Sequence, residues 1–199
     1  MFCLCMIFSC NNGDKTAEEK TIVSDSVQTI NSIAAEDSTM IFENNIDNWL
    51  TESLHNPTLN WQKFQLQEFW YEDSLKQLPL HESAQFYKEY APVLKWSPDS
   101  SYVLDMGSVG TTIITDKKGN TKVADGDIDT QVSLLLPKQK KKEQLLFFGS
   151  NTSLIDARWI DSTQIAVFGA FTEKPNQPAD TLLWIIDAKN NYFRKYKWQ

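Results

Sequence analysis

Short runs of alternating apolar and polar residues, separated by turn-forming residues, follow Pro92. A repeat of two is typical of antiparallel strands that bury one face. The pattern predicts strands over Tyr102–Met106, Thr111–Thr115, Val132–Leu136, Gln144–Phe148, Ala157–Ile160, Gln164–Phe168, Thr181–Asp187 and Tyr192–Trp198. Two segments between these strands suit hairpin turns, residues 116–120 with Gly119 and residues 187–191 with asparagine in its place.

The chain before Pro92 has a helical spacing instead. Apolar residues recur near one helical face at Ile46, Trp49, Leu50 and Leu54, and Pro57 ends this pattern. Ser83 is expected to cap a second helix, which carries Phe86, Tyr87 and Tyr90 on one side. The segment Trp61–Tyr71 fits a strand only in part. The expected fold is therefore mainly β, with antiparallel meander sheets and a small helical N-terminal layer.

An internal repeat divides the β-rich part into two units. Residues 94–104 recur as residues 157–166, each copy with a basic residue, a tryptophan, an Asp-Ser turn and a hydrophobic strand. The matching residues are Trp96 with Asp99 and Trp159 with Asp161. A strand-turn-strand pair follows each copy. The sequence thus predicts two blade-like four-stranded meanders, and the first carries an extra hairpin over residues 107–130.

The first copy has a turn that resembles a known family. Trp96-Ser97-Pro98-Asp99-Ser100 is similar to the WSPDG-type turn of WD40-like β-propeller blades. In such a turn proline sets φ and the aspartate bonds to the turn backbone. Propellers use about 4–8 blades, and there is room here for two units. We expect an open pair of sheets capped by the N-terminal helices; blades completed by a second chain are the alternative.

The first ten residues carry a second resemblance. The apolar run Phe2–Phe8 is too short to span a bilayer but fits a signal-peptide core, although no Lys or Arg precedes Cys10. Ile7-Phe8-Ser9-Cys10 resembles a bacterial lipobox, which implies cleavage before Cys10 and lipidation of its thiol. All three cysteines lie in this segment, so the mature domain would hold no disulfide.

These features predict the organisation of the chain. Residues 1–9 would be a whole or truncated signal peptide, residues 10–39 a lipidated cysteine with a disordered polar tether, and residues 40–199 a single β-rich domain. As a whole the chain resembles the small lipoproteins of Bacteroidota-type bacteria. That resemblance implies a location in the bacterial cell envelope, at the outer membrane on its periplasmic or surface side.

The net charge of the chain limits the classes of partner that it is expected to bind. It has 26 acidic against 19 basic residues, a net charge of −7. Nucleic-acid binding needs a basic face, and docking on anionic lipid needs clustered cations. We therefore expect no nucleic-acid partner and attachment to the membrane through acyl chains alone.

Two charged segments are candidate sites. Asp125, Asp127 and Asp129 alternate in a way that could offer oxygen ligands to calcium. The sixth and twelfth positions from Asp125 are Thr130 and Leu136, which an EF-hand would not have. Two interpretations of this segment remain, a calcium-binding loop that is not an EF-hand and a solvated acidic turn. The dense basic cluster Lys138, Lys140, Lys141 and Lys142 reads as a charged turn that keeps sheet edges soluble, or as a phosphate contact.

Motifs for catalysis are sparse. There are two histidines, and the chain has no Gly-x-Ser-x-Gly, no Walker loop and no Gly-x-Gly-x-x-Gly. No cofactor is predicted. The abundant tryptophans and tyrosines would form core pairs or a platform for sugars or peptides. On the last strand, we expect Tyr192, Tyr196 and Trp198 to face the core, and Phe193, Lys195 and Lys197 to form a surface patch.

The sequence therefore favours a non-catalytic, lipid-anchored envelope protein that binds or scaffolds a protein or glycan partner. The alternative is a metal-dependent or hydrolytic enzyme that uses Asp125, Asp127 and Asp129.

Overall fold

The structure is a computed structural model that describes residues 35–53, 60–80, 83–117, 121–125, 129–174 and 177–199. The predicted signal peptide, Cys10 and Asp127 lie outside the described residues, as does the side chain of Asp125. Within the described ranges the helices are α1 (Ala35–Glu43), α2 (Ile46–Ser53) and α3 (Ala84–Glu89). Every one of these helices is too short to cross a bilayer.

Strands make up about half of the described chain. They are β1 (Phe64–Tyr71), β2 (Lys76–Leu78), β3 (Leu94–Trp96), β4 (Val103–Asp105), β5 (Thr111–Thr115), β6 (Thr121–Asp125), β7 (Thr130–Leu136), β8 (Lys141–Phe148), β9 (Thr152–Trp159), β10 (Gln164–Phe171), β11 (Asp180–Asp187) and β12 (Tyr192–Trp198). The expectation of a mainly β, antiparallel fold is confirmed.

The described strands pair into two five-stranded antiparallel sheets and one hairpin. The first sheet has the order β1-β12-β11-β10-β9, the second has the order β2-β8-β7-β4-β3, and the hairpin pairs β5 with β6. Both predicted four-stranded meanders are present, as β9 to β12 and as β3-β4-β7-β8 with the hairpin inserted. Each gains a fifth strand, β1 or β2, from the chain before the first repeat.

The two sheets pack face to face and share one hydrophobic core. The first sheet contributes Trp159, Val167, Trp184 and Phe193, and the second contributes Leu104, Val132 and Leu134. The arrangement is a β-sandwich, in which side chains from the two inner faces form the core. The sandwich brings the edge strands β3 and β9 beside one another, because each ends the strand order of its own sheet.

Helices cover the two outer faces of the sandwich. The outer face of the first sheet packs against α1 and α2 through Ile41, Ile46 and Leu50. The outer face of the second sheet packs against α3, through Phe86, Tyr87 and Tyr90. Ser83 caps α3 as expected, since its side chain accepts a hydrogen bond from the Phe86 N–H at 3.0 Å. The helical residues therefore form two separate layers, because each sheet has its own apolar outer face to bury.

The folded domain begins earlier than the sequence predicted. Residues 35–39, assigned to the tether, belong to α1, and Asp37 is buried. Its Oδ1 lies 3.0 Å from Nη2 of Arg194, and its Oδ2 accepts a hydrogen bond from the Tyr196 hydroxyl. The polar composition of this segment did not reveal the helix, because the buried Asp37 carboxylate is paired with residues of β12 that lie about 160 positions away in sequence.

The prediction for β12 was wrong at one residue. Tyr196 is buried against the α1–α2 layer as expected. Phe193, assigned to a surface patch, is also fully buried, because it faces the core between the two sheets. A strand that lies between a helical layer and a second sheet buries both faces.

Candidate functional site

The two copies of the repeat meet at one corner of the sandwich. The Lys95-Trp96 pair lies on β3 and the Arg158-Trp159 pair lies on β9. The indole Nε1 of Trp159 donates a hydrogen bond to the backbone carbonyl of Lys95 at 2.8 Å. The basic residue and the tryptophan of both repeat copies therefore lie next to one another at this corner.

A groove of about 400 Å³ opens at this corner. Its lining residues are Trp49, Lys95, Trp96, Ala157, Arg158 and Trp159. Trp159 is nearly buried and forms part of the inter-sheet core, whereas Trp96 leaves 48% of its surface exposed. Trp49 is half-buried and reaches the groove from α2. Three of the six lining residues are tryptophans and two are basic, a combination of aromatic and polar side chains that a small-ligand site can use.

The exposed indole of Trp96 is supported from behind. Its ring and that of Tyr87, on α3, have centroids 5.5 Å apart at an interplanar angle of 33°. Tyr87 in turn packs edge-on against Phe86, with ring centroids 5.4 Å apart. Contacts of this kind hold an aromatic ring in one orientation. Trp96 is therefore a fixed surface that faces the groove edge, rather than a free side chain.

The Asp156 carboxylate ties the walls of the groove together. Its Oδ1 pairs with the Lys95 ammonium and accepts the Ala157 N–H at 2.8 Å. Its Oδ2 accepts a hydrogen bond from the Trp49 indole at 2.8 Å. One half-buried carboxylate thus joins α2, β3 and β9. Charge-assisted bonds of this kind fix orientation as well as adding stability.

The repeat aspartates shape the turns that follow each tryptophan. Asp99 Oδ1 accepts hydrogen bonds from the Ser97 hydroxyl at 2.8 Å and the Ser101 N–H at 3.1 Å. Bonds from the side chains of Ser101 and Ser97 lower the pKa of the Asp99 carboxyl below its ordinary value. In the second copy, Asp161 Oδ1 accepts the N–H groups of Thr163 and Gln164 at 2.6 and 2.7 Å.

The acidic loop offers no assembled metal centre within the described residues. Asp125 ends β6, and Asp129 is exposed just before β7. Among the residues that the structure describes, no three His, Cys, Asp or Glu side chains lie close enough together to hold a metal ion. The position of Asp127 lies outside the described ranges, so the calcium hypothesis stays a prediction.

The basic cluster is divided by the sheet. Lys138, Lys140 and Lys141 are exposed around the turn between β7 and β8. Lys142 points to the opposite side, is buried, and pairs with Asp105 at 2.6 Å. Strand alternation separates adjacent lysines to opposite faces. The phosphate contact that the sequence predicted as an alternative for all four lysines is therefore open to Lys138, Lys140 and Lys141 and not to the buried Lys142.

A second cleft, of about 280 Å³, is a weaker candidate. It is lined by aromatic residues such as Phe148 and Trp184 and by Lys195 and Lys197. Lys197 lies 2.8 Å from a carboxylate oxygen of Asp180, and Lys195 lies 3.7 Å from one of Glu68. Both cations of this cleft thus have a carboxylate partner.

Sequence reasoning identified Trp96 and Trp159 as repeat residues but missed the groove. The sequence feature that could have indicated the groove was the basic residue before each tryptophan, which occurs in both copies of the repeat. Trp49 and Asp156 carried no comparable signal, because their contact joins residues 107 positions apart. No protein-family model, curated protein or solved structure matches this chain.

Proposed function

We propose that this chain is a non-catalytic binding protein that holds a glycan in the tryptophan-lined groove. The observation that carries the proposal is the convergence of Trp49, Trp96 and Trp159 from three separate elements on one groove. Trp96 is held in place and yet about half exposed. An ordered aromatic surface left open to solvent is a common property of recognition sites.

The chemistry of the groove suits a sugar ring. A pyranose presents a flat apolar C–H face and a rim of hydroxyl groups. The indole faces of Trp96 and Trp49 can stack on the apolar face, and Lys95 and Arg158, which also line the groove, can donate hydrogen bonds to the hydroxyl groups of the rim.

A peptide added as an extra strand fits less well at this corner. Strand addition uses the free carbonyl and N–H groups of an edge strand. On β3, the Lys95 carbonyl already accepts the Trp159 indole N–H. The groove thus favours a ligand that is recognised through side chains, which is the reason for preferring a glycan.

We also propose that the chain is held at the bacterial cell envelope by lipid on Cys10. The lipobox-like run before Cys10 and the polar residues after it support this location. The net charge of −7 supports an anchor made of acyl chains rather than of surface charge. Labelled palmitate should enter the wild-type chain and not Cys10→Ala. Equal labelling of both would remove the proposed anchor.

Glycan binding can be tested on the full chain with a panel of oligosaccharides, followed by titration of tryptophan fluorescence. Trp96→Ala should weaken the best ligand about tenfold, in line with the usual contribution of an aromatic contact and its buried area. The matched control is Phe69→Ala on β1, which removes an aromatic side chain that is 60% exposed but distant from the groove lining. Equal losses in both variants, or no binding to any glycan, would overturn the proposal.

A further inference from the structure

We propose that the glycan bound in the groove is acidic and that Arg158 binds its carboxylate. This inference rests on the proposed function and names the class of sugar. Arg158 lies on β9 between Ala157 and Trp159, and all three residues line the groove. Its side chain is exposed.

The charges of the groove leave Arg158 as its uncompensated cation. Lys95 and Arg158 are the cations that line the groove, and Asp156 beside them is an anion. The Lys95 ammonium is paired with Asp156 Oδ1, while Asp156 Oδ2 accepts the Trp49 indole N–H. In the part of the chain that the structure describes, no ion pair involves Arg158. One positive charge therefore remains at the groove.

A cation with no ion pair among the described residues distinguishes this groove from the second cleft. The chain carries −7 overall, so general basicity does not explain a cation beside an aromatic groove. In the second cleft, Lys195 and Lys197 both have carboxylate partners. The tryptophan-lined groove thus differs from the second cleft in having a cation available for a ligand.

The arrangement also directs where an anionic group would bind. A carboxylate placed at Lys95 would be repelled by Asp156, which already occupies that ammonium. At Arg158 it can form two parallel hydrogen bonds with the planar guanidinium. The sugar ring would then stack against the indoles while its carboxylate contacts Arg158.

The test compares two forms of one oligosaccharide on the full chain, tetragalacturonic acid and its methyl ester. The two forms share their rings and differ in charge. The wild-type chain should bind the acid about fivefold more tightly than the ester at low salt, which is the range of a partly exposed ion pair. The preference should shrink in 0.5 M salt, about three times the physiological ionic strength, because screening then acts over a shorter distance.

Variants assign the effect to its residue. Arg158→Gln should abolish the preference for the acid over the ester, and Arg158→Lys should keep only part of that preference. Lys141→Gln is the matched control, because it removes an exposed cation on β8, outside the groove. Equal binding of acid and ester by the wild-type chain would overturn this inference alone. Binding of neither form would also overturn this inference and leave the proposed function to the oligosaccharide panel, whereas binding that Trp96→Ala leaves intact would overturn the proposed function as well.

Discussion

The indole nitrogen of Trp159 donates a hydrogen bond to the backbone carbonyl of Lys95, 2.8 Å away, and so connects the edge strands of two different sheets. The same tryptophan packs in the inter-sheet core. The corner that carries the groove is therefore held by a polar contact as well as by packing. Trp159, one of the two matching tryptophans of the repeat, therefore links the second copy of the repeat to the first.

Trp159→Phe should lower the free energy of unfolding by about 1–3 kcal/mol, because the part-buried Lys95 carbonyl loses its donor. Urea unfolding measures the loss. Trp198→Phe is the control: the Trp198 indole donates to the Asn60 carbonyl at 3.1 Å in an exposed position, where water can replace it. An equally large loss in Trp198→Phe would contradict a special role for the bond at the corner.

Lys142→Met should cost about 3–5 kcal/mol of stability, since it leaves the buried Asp105 carboxylate without its cation. Asp105 would retain the N–H groups of Gly107 and Ser108, which do not supply a full charge. Lys141→Met, at the exposed neighbouring position, should change stability by less than about 0.5 kcal/mol. Chemical denaturation of the two variants, compared directly, tests the assignment of the buried lysine.

Asp37→Ala should release α1 from the first sheet, because Arg194 would lose the carboxylate 3.0 Å away. Hydrogen exchange should then become faster at the backbone amides of α1 and stay slow in β10 and β11. The control Glu43→Gln changes an exposed carboxyl at the end of the same helix and should leave exchange unaltered. Unchanged protection of α1 in Asp37→Ala would show that apolar packing alone holds the helix.

Gly169→Ala should destabilise the fold by about 1–3 kcal/mol through overpacking. An added Cβ would lie 2.8 Å from the Ser153 carbonyl oxygen and 3.2 Å from Cζ3 of Trp184. The backbone oxygen belongs to the paired strand β9 and cannot move freely. At Gly149 the nearest atom would be 4.0 Å away, so Gly149→Ala should be close to neutral. Thermal melts of the two variants distinguish a packing effect from a general glycine effect.

The Asp99 carboxyl should make the turn after Trp96 sensitive to acid. Its pKa in the folded chain is lowered by hydrogen bonds from the side chains of Ser101 and Ser97. A lowered folded pKa stabilises the fold above the unfolded pKa, which is about 3.9 for aspartate, and that contribution is lost as pH falls through the folded pKa. Wild type should therefore melt above Asp99→Asn at pH 7, and the difference should shrink on acidification below pH ~4. A difference independent of pH would contradict this origin.

Local patterns predicted the strands well, and for a clear reason. Alternation at Thr111–Thr115 and Tyr192–Trp198 depends only on neighbouring residues, and the structure places β5 and β12 over the same bounds. The same holds for Ser83, since an N-cap bond reaches only three residues along the chain. The short strand β2 was missed, because three residues carry little periodicity.

The candidate site was predicted only in its parts. The repeat identified Trp96 and Trp159 as matching residues. Sequence periodicity cannot show whether two tryptophans line the same groove. Lys142 was grouped with its neighbours as surface charge, although the pleat turns it toward Asp105. Phe193 was assigned to the surface, because its strand alternates and the second sheet that covers it was not foreseeable from β12 itself.

The sequence by itself determined the strand pattern, the two meander units, the turns after each repeat tryptophan and the cap of α3, because each depends on residues close together in the chain. Only the tertiary structure decided the fifth strands, the burial of Asp37 and the groove. Trp49 meets Asp156 across 107 positions, and Trp159 meets Lys95 across 64. Such pairs form when two sheets bury their apolar faces against each other, and it is this packing that turns two copies of a repeat into one site.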